Sequence, residues 1–321
     1  MAAAVCVQYG PPEVIRLCER PVPVPRPNEV LIRAHAVSVN SGDARMRAAR
    51  VPRGMGTVYR LARGWSGPRQ GIFGFDVAGA VVAVGSAVTG YRVGDRVLGS
   101  RGFEFGCHAE YCCVAENGPL AAIPDEVSYE DAAALVFGGA TCLAFFAIAK
   151  LKAGERILIN GASGAVGVMA IQLAKRSGAD VTAVCSGANL ELVRGLGAHH
   201  AIDYTQHDFV SADLTYDVIM DNHGNAPYAR VRHLLAPGGR FLLVVGDLAQ
   251  TIGAAFAKAV VAPSDPKLAV NAANFAQLLE LARRGHLTPV IERKYRFDQI
   301  VEAHRHVDGG HKKGSVVLTF D

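Results

Sequence analysis

The sequence predicts an α/β protein in which an antiparallel β domain precedes a doubly wound parallel sheet. Up to about Pro124, Gly and Pro interrupt short alternating or β-branched runs, which is the pattern of antiparallel strands. From Arg156 onward, short apolar runs alternate with helix-length segments, which is the pattern of repeated βαβ units. A chain of 321 residues that is 50% hydrophobic and 19% charged is long and apolar enough to build well-developed cores.

In the first part, four runs have the composition of strands. They are Val30 to Val39, Val77 to Val84, Arg96 to Leu98, and Ala109 to Val114. The composition changes at Ser128, where Ser128-Tyr129-Glu130-Asp131 has the form of a capped helix start before an Ala-rich stretch. We therefore predict a first domain over residues 1–125 and a second over residues 126–267.

The second part alternates strands with helices. The predicted strands are Arg156 to Asn160, Asp180 to Cys185, Ala201 to Asp203, Asp217 to Asp221, and Arg240 to Val245, the last entered by a turn at Pro237-Gly238-Gly239. The predicted helices are Ala165 to Arg176 and Asn189 to Leu196, closed by Gly178 and Gly197. The tail adds helices at Asn271 to Arg284 and Asp298 to Val307, an extended segment from Pro289 to Tyr295, and a strand from Ser315 to Phe320.

Composition narrows the compartment and the partners. No apolar run approaches the roughly 20 residues of a bilayer span, and residues 1–10 lack the cationic start of a signal peptide, so we expect a cytoplasmic protein. The seven scattered cysteines are expected to be reduced thiols. A formal charge of +4 is too small to indicate nucleic acid.

The positive charge is concentrated in one segment. Between Asp43 and Asp76 there is no acidic residue, and the segment contains Arg45, Arg47, Arg50, Arg53, Arg60, Arg63 and Arg69. Apolar residues interleave with these arginines, so the segment is either a partly helical flap over the cleft, which would include Tyr59, Arg60 and Arg63, or a solvated basic loop. An anionic substrate or the cofactor phosphate is the first expected partner, ahead of an acidic membrane surface.

A glycine-rich loop joins the first strand of the second part to its first helix. It consists of Gly161, Ala162, Ser163, Gly164, Ala165, Val166 and Gly167. Glycines in this position let the chain turn sharply, let a pyrophosphate approach bare N–H groups at a helix N-terminus, and let the helix pack against the strand. In this strand-turn-helix context the loop predicts a dinucleotide site.

The end of the next strand bears on the choice of cofactor. A site for NAD usually has Asp or Glu there, which accepts from the ribose 2′-OH and repels a 2′-phosphate. This chain has Cys185-Ser186-Gly187-Ala188-Asn189 and no acid before Glu191. NADPH is therefore allowed, with Ser186 and Asn189 as hydrogen-bond donors to its 2′-phosphate.

Together these motifs resemble the zinc-free quinone oxidoreductases, the zeta-crystallin-like branch of the medium-chain dehydrogenase/reductase superfamily, over nearly the whole chain. The resemblance rests on the glycine-rich loop and on Asn40-Ser41-Gly42-Asp43-Ala44-Arg45, Gly74-Phe75-Asp76-Val77-Ala78-Gly79, Leu196-Gly197-Ala198 and the tail from Gly310 to Val317. It implies a GroES-like catalytic domain over residues 1–125, joined by the C-terminal segment 268–321, and a Rossmann NADP-binding domain over residues 126–267. It also implies that the nicotinamide binds in the cleft between these domains and that the protein is a homodimer.

By position, the resemblance also implies the cofactor contacts. Asn40 and Thr141 are expected on the nicotinamide side, Ser163 to Val166 at the pyrophosphate, Ser186 and Tyr204 near the adenosine phosphate, and Asn222, Val245 and Gly246 along the rest of the groove. At Asn189 the family commonly has a Lys or Arg that pairs with the 2′-phosphate, and this chain departs from that pattern.

The zinc ligands of related alcohol dehydrogenases are replaced in this chain. Those enzymes carry a Cys near position 40 and Gly-His-Glu where this chain has Gly74-Phe75-Asp76. A Phe cannot coordinate a metal and Asn40 is a poor ligand for zinc, so we expect no zinc and no alcohol oxidation. Cys107-His108 with Cys112-Cys113 lacks the spacing of a zinc knuckle, and these thiols are expected to be buried.

Without a metal, hydride can pass only to an acceptor that is already electrophilic. We expect an NADPH-dependent reductase of a small-molecule quinone or of the C=C bond of an α,β-unsaturated carbonyl, with Asn40 or an ordered water as donor to the developing enolate. A biosynthetic enoyl reductase differs from this only in substrate. The alternative from another class is a non-catalytic NADPH-binding structural or RNA-binding protein, which only the basic segment supports.

Overall fold

The computed structural model describes residues 1–51, 56–69, 71–211, 214–246, 259–261 and 266–320. Contacts divide the chain into two compact units. Unit 1 contains Met1–Val51, Gly56–Ala140 and Val270–Asp321, and unit 2 contains Thr141–Ala269. Arg53, which the sequence analysis counts in the basic segment, lies outside the described residues.

Unit 1 is a β domain with few helices. Its strands are β1 (Ala2–Cys6), β2 (Ile15–Glu19), β3 (Glu29–Val39), β4 (Asp76–Val84), β5 (Arg96–Ser100), β6 (Tyr111–Ala115), β7 (Leu120–Ala122), β14 (Ile291–Arg296) and β15 (Ser315–Thr319). Its helices are α1 (Ser41–Arg47), α2 (Gly56–Arg63), the first part of α3 (Tyr129–Ala149), α7 (Ala272–Arg283) and α8 (Ile300–Asp308). The strands predicted before Pro124 are confirmed.

Strand β3 is the centre of unit 1. It pairs antiparallel with β4 along one edge, and with β6 and then β15 along the other. Within the described residues the main sheet has the order β14-β15-β3-β4-β5-β7. Ile32, Val97 and Leu318 are fully buried in its core, which α8 covers with Ile300 and Ala303. The C-terminal segment thus completes the sheet that carries the end of β3.

Unit 2 is a parallel α/β sheet. Its strands are β8 (Arg156–Asn160), β9 (Asp180–Cys185), β10 (His200–Asp203), β11 (Tyr216–Asp221), β12 (Leu235–Leu243) and β13 (Val260–Val261), and its helices after α3 are α4 (Ala165–Arg176), α5 (Leu190–Gly195) and α6 (Tyr228–Val231). All its described pairings are parallel, in the order β10-β9-β8-β11-β12-β13. This is the doubly wound order of a Rossmann domain, with its switch point between β8 and β11.

The division between the two compact units falls within helix α3, after Ala140. The domain boundary at 125/126 stays a prediction. The first half of the helix packs on the C-terminal segment: Ser315 Oγ donates to the Ala134 carbonyl oxygen at 3.1 Å, and a Cβ added to Gly139 would lie 2.5 Å from the Leu278 side chain. These contacts assign the residues before Ala140 to unit 1.

Helix α3 corrects one sequence expectation. With 21 residues it is, among the described helices, long and apolar enough to cross a membrane by length and composition, although no such run was expected. The helix runs without a break through Gly138, Gly139 and Thr141. In the structure, 72% of its most apolar window is buried within the protein.

The observed start of strand β12 differs from the predicted one. Pro237-Gly238-Gly239 was predicted to be a turn before the strand, but β12 begins at Leu235 and includes these residues. The register with β11 shifts between Tyr216, which pairs with Leu235, and Val218, which pairs with Arg240. Gly238 has a φ of 77°, so the extra residues are accommodated as an irregularity of the strand.

Candidate functional site

The glycine-rich loop of unit 2 follows β8 at the switch point. Gly161 has a φ of 72°, a backbone conformation that residues other than glycine rarely adopt. A Cβ added to Gly167 would overlap the carbonyl oxygen of Gly161, so α4 packs directly on the loop backbone. At Gly164, by contrast, the nearest atom to an added Cβ is Gly161 O at 3.6 Å, which leaves this position open.

The N-terminus of α4 is arranged to receive an anion. Gly164 is its N-cap residue, and among the described side chains none caps the first turn. The first N–H groups of an α-helix have no intrahelical acceptor and lie at the positive end of the helix dipole. Of the predicted pyrophosphate residues Ser163 to Val166, Gly164 donates its N–H to the Gly161 carbonyl oxygen at 3.3 Å. The N–H groups of Ala165 and Val166, in the first turn of α4, are donors that fit the phosphates of a dinucleotide.

A small polar cluster links this loop to the end of β9. Nδ2 of Asn189 donates to Ser163 Oγ and to Ser186 Oγ, both at 3.1 Å. Asn189 is only 6% exposed, so its side chain is held firmly between the two loops. Because each serine hydroxyl accepts from Asn189, its own O–H proton can be donated to another group. The cluster therefore offers two oriented hydroxyl donors.

An acidic side chain lies beside this cluster and was missed in the sequence. A Cβ added to Gly187 would lie 2.5 Å from Asp203 Oδ2. Hydrogen bonds to Asp203 from the backbone N–H and the hydroxyl of Thr205 lower the pKa of Asp203, so this carboxylate is ionised at neutral pH. An acidic residue that accepts from the ribose 2′-OH usually stands at the end of the second strand, here β9, whereas Asp203 ends the neighbouring strand β10.

Tyr204 also comes from the end of β10. Its backbone N–H donates to the Cys185 carbonyl oxygen at 3.1 Å, which brings the end of β10 beside the end of β9. The Tyr204 side chain is 49% exposed. Tyr204 and Ser186, which were both predicted near the adenosine phosphate, thus lie at adjacent strand ends.

Asp221 fixes the loop on the other side of the switch point. It is 1% exposed, and its Oδ1 accepts from Asn160 Nδ2 at 2.9 Å and from the backbone N–H of Gly224 at 3.0 Å. Its Oδ2 accepts from the backbone N–H of Ala226 at 3.0 Å. Nothing in the local sequence distinguishes Asp221 from an ordinary strand end, and only the parallel pairing of β8 with β11 brings Asn160 to it.

The loop that Asp221 holds carries Asn222. Both polar atoms of the Asn222 side chain are buried without a hydrogen-bond partner in the described part of the chain. An unsatisfied buried polar group costs about 1–3 kcal/mol, so a ligand that pairs with this amide would be stabilised. Asn222 was predicted to line the cofactor groove, and its free donor and acceptor suit that role.

The remaining predicted cofactor residues of unit 2 are described by their packing and by their position in the sheet. Val245 and Gly246 follow β12, and a Cβ added to Gly224 would lie 3.1 Å from Val245 Cγ1, so Val245 packs on the Asp221 loop. Thr141 lies in α3 and is partly buried. Apart from Thr141, the predicted set follows the carboxyl ends of parallel strands, which share one edge of the sheet.

In unit 1, Asn40 follows β3 and caps α1. Its Oδ1 accepts from the backbone N–H of Asp43 at 3.0 Å, and Asp43 Oδ2 accepts from the backbone N–H of Asn40 at 3.0 Å. This reciprocal capping box fixes the orientation of the amide. Asn40 is 3% exposed, and within the described residues its Nδ2 has no acceptor. The side chain therefore holds two unused N–H donors in a fixed direction.

Asp43 ties this turn to a second one. Its Oδ1 accepts from the backbone N–H of Gly74 at 3.2 Å, and complete burial raises the pKa of Asp43 to about 7. His108 Nε2 lies 3.9 Å from Asp43 Oδ2 and 3.0 Å from the Ser38 carbonyl oxygen. Burial lowers the pKa of His108 to about 4, so the ring is neutral and donates to Ser38. Sequence analysis gave Asp43 and His108 no role at the site.

The side chains at the positions of the alcohol dehydrogenase zinc ligands do not form a metal donor set. The Phe75 ring packs edge-on against Phe103 and Phe105, with centroids 5.6 and 4.9 Å apart. Burial raises the pKa of Asp76 to about 7, so this carboxyl is partly protonated near neutrality. In the part of the chain that the structure describes, no group of three or more His, Cys, Asp or Glu side chains suits a metal ion.

The Cys107 cluster has the environment of buried thiols. Cys107, Cys112 and Cys113 are free and buried, and Cys107 Sγ donates to the Phe75 carbonyl oxygen at 3.4 Å. Burial raises the pKa of Cys107 well above its usual range, so it is present as the thiol.

The basic segment contains two helices and is not a solvated loop in its described part. Tyr59 Oη donates to the Met46 carbonyl oxygen at 2.9 Å, and the guanidinium groups of Arg60 and Arg63 each lie 5.2 Å from the ring centroids of Tyr9 and Phe105 respectively. Arg47 is fully buried, and its Nη2 is 2.5 Å from Asp308 Oδ2 of α8. The described part of the segment is therefore partly helical, and its place as a flap over the site and its contact with substrate stay predictions.

A glycine-rich loop at the switch point of a Rossmann sheet, in a chain that also contains a GroES-like β domain, defines a class of dinucleotide-binding proteins. Residues 26–125 match the family described as alcohol dehydrogenase GroES-like domain, and residues 196–318 match the family described as zinc-binding dehydrogenase.

Comparison with individual proteins identifies the family within this class. The chain is 32% identical to the quinone-oxidoreductase homolog of Spinacia oleracea, with 97% of each chain covered, and 31% identical to the 2-methylene-furan-3-one reductase of Solanum lycopersicum, with 99% of this chain and 79% of that protein covered. The solved quinone oxidoreductase from Coxiella burnetii superposes with a TM-score of 0.87 at 29% identity, with 99% of each chain covered. The protein belongs to the quinone oxidoreductase family of the medium-chain dehydrogenase/reductase superfamily.

Proposed function

We propose that the protein is a zinc-independent, NADPH-dependent reductase that transfers hydride to a quinone or to the C=C bond of an α,β-unsaturated carbonyl. The relatives whose names state quinone or enone reduction support this class. The observation that carries the proposal is Asn40: a buried amide with a fixed orientation and unused N–H donors, at the position where related alcohol dehydrogenases have a zinc ligand.

Reduction of an enone or quinone builds negative charge on the carbonyl oxygen. NADPH, when bound, supplies the hydride, and the protein must stabilise this charge and exclude water. Nδ2 of Asn40 is the donor that we assign to that oxygen. Because Oδ1 is already held by the Asp43 N–H, the amide needs no reorganisation as the charge develops, which is the condition for strong electrostatic stabilisation.

The choice of NADPH over NADH depends on opposing groups at the ends of β9 and β10. The hydroxyls of Ser163 and Ser186, oriented by Asn189, can donate to a 2′-phosphate. The ionised Asp203 near Gly187 opposes a phosphate, and no cation stands at position 189 to offset it. We propose that the hydroxyl donors prevail and that the discrimination is modest.

Asp203→Asn is therefore expected to strengthen NADPH binding by about fivefold and to leave NADH binding within about twofold, because it removes a carboxylate that repels only the phosphate. Fluorescence titration with both cofactors at low salt measures the change. Asp125→Asn is the matched control, since Asp125 is 99% exposed in unit 1 and makes the same change of charge. Equal effects on both cofactors would show that Asp203 does not lie at the phosphate.

The proposed absence of zinc is supported by the donor set. Asn40 is engaged in the capping box and Phe75 in an aromatic cluster, so neither contributes a metal ligand. A reaction that depends on Asn40 needs an acceptor that is already polarised, which quinones and enones are and alcohols are not.

The proposal is tested by cofactor titration followed by turnover. The purified protein should bind NADPH more tightly than NADH, and it should consume NADPH when at least one member of a panel of quinones and enones is added. Metal analysis of the same sample should find no zinc, and a chelator should not lower the rate. Binding of NADPH without turnover of any acceptor would contradict the proposal and favour a non-catalytic NADPH-binding structural or RNA-binding protein.

A further inference from the structure

Helix α2 presents an apolar stripe to solvent. Val58, Leu61 and Ala62 have the spacing i, i+3, i+4, which places them along one face of α2, and Trp65 follows two residues after the helix ends at Arg63. Val58 and Leu61 are each 62% exposed and Trp65 is 64% exposed. Single exposed apolar residues are common on protein surfaces, but a contiguous stripe of them indicates a contact surface.

The outward direction of the stripe is fixed by contacts on the other side of the helix. Tyr59 donates to the Met46 carbonyl oxygen, while Arg60 and Arg63 lie over the rings of Tyr9 and Phe105. Arg60 and Arg63 are half-buried, so each packs on a ring of unit 1 along the flank of the helix while part of its side chain stays accessible. The helix is anchored to unit 1 by its polar and aromatic side, and the apolar side is left to another partner.

Cations border the stripe. Nη1 of Arg60 donates to the Trp65 carbonyl oxygen at 2.9 Å, and Nη2 of Arg69 donates to the Leu61 carbonyl oxygen at 3.3 Å. The sequence has no acidic residue between Asp43 and Asp76, so no carboxylate of this segment neutralises them. The surface therefore combines exposed aliphatic and indole groups with bordering guanidinium groups.

We propose that this face of α2 binds the surface of an anionic phospholipid bilayer. Aliphatic side chains gain by entering the acyl boundary, indole prefers the headgroup level, and arginines beside them attract anionic headgroups. Single-stranded RNA would require stacking platforms, and the aliphatic Val58 and Leu61 do not provide them. The contact is peripheral and reversible, since a stripe of four residues buries little area, and it is independent of the proposed reductase activity.

Trp65 makes the proposal directly measurable, because it is the single tryptophan of the chain. Its emission should shift to the blue and become protected from acrylamide when the full-length protein meets vesicles of phosphatidylcholine with phosphatidylserine. The shift should be absent with pure phosphatidylcholine and should be reversed by high salt, because the attraction is partly electrostatic. The double variant Val58→Ser, Leu61→Ser should lower the partition coefficient by about tenfold or more.

Val93→Ser is the matched control, since Val93 is also 62% exposed but lies in a turn outside the basic segment. It should partition like the wild type. Circular dichroism should be unchanged in all variants because the substituted side chains are exposed. No shift with anionic vesicles, or an equal shift in the double variant, overturns the proposal. Quenching of Trp65 by single-stranded RNA without any response to vesicles overturns it in favour of a nucleic-acid surface.

Discussion

Asn40→Ser is expected to lower kcat for a quinone or enone by about a hundredfold, which is the effect of removing one preorganised donor from a developing oxyanion. NADPH affinity should change little, because the variant leaves the glycine-rich loop and the Ser163-Ser186-Asn189 cluster intact. Steady-state kinetics with the acceptor found in the panel, together with NADPH titration, measure both quantities.

Serine is chosen because it keeps the capping function. Its hydroxyl can accept from the Asp43 N–H as the Asn40 carbonyl oxygen does, so α1 retains its N-cap and the melting temperature should stay near that of the wild type. Asn40→Ala is the companion variant: it loses the same amide donor and also the cap, which costs about 1 kcal/mol of stability. Wild-type turnover in Asn40→Ser would assign the stabilising donor to another group.

Gly164→Ala is expected to weaken NADPH binding by about tenfold or more without lowering the melting temperature. In the protein itself the added methyl group meets only Gly161 O at 3.6 Å, which is ordinary contact, so folding should be unaffected. A pyrophosphate that approaches the N-terminus of α4 would meet the same methyl group. Titration of both cofactors and thermal unfolding separate the two effects.

Two further glycines serve as controls. Gly195→Ala adds a methyl group with no atom within 4 Å, so it should change neither cofactor binding nor stability appreciably. Gly167→Ala forces the methyl group into the loop backbone and should cost about 1–3 kcal/mol of stability, as overpacking does. If Gly164→Ala binds NADPH as the wild type does, the phosphates do not approach this turn.

Sequence predicted the elements that local pattern determines. The bounds of β8, α4 and β9 agree with prediction because β-branched strand residues, the glycine-rich turn and the closing Gly178 all act within a few residues. The bounds of β12 differ from prediction, because a strand irregularity depends on the partner strand. The division of the units inside α3 depends on packing against a distant segment, which local sequence does not specify.

The same distinction applies to the site. The sequence predicted Asn40 and the glycine-rich loop as site residues because each belongs to a contiguous motif. Asp203 and Asp221 were not assigned roles, because the first acts on the neighbouring strand end and the second on Asn160 across the switch point. Parallel pairing, which local sequence does not specify, creates both relationships. The Arg47 ion pair with Asp308 was missed for the same reason, since 261 positions separate the two residues.

The pairing of β15 with β3 has a consequence for the order in which parts of the chain can fold during synthesis. Val316 pairs with Val39, the residue immediately before Asn40, while Arg47 at the other end of α1 is held by Asp308. On the ribosome, the whole of unit 2 emerges before these partners do, and domains generally fold as units during synthesis. Unit 2 can thus fold while the Asn40 turn still lacks its flanking strand, so a segment that is translated after unit 2 secures a turn that was translated before it.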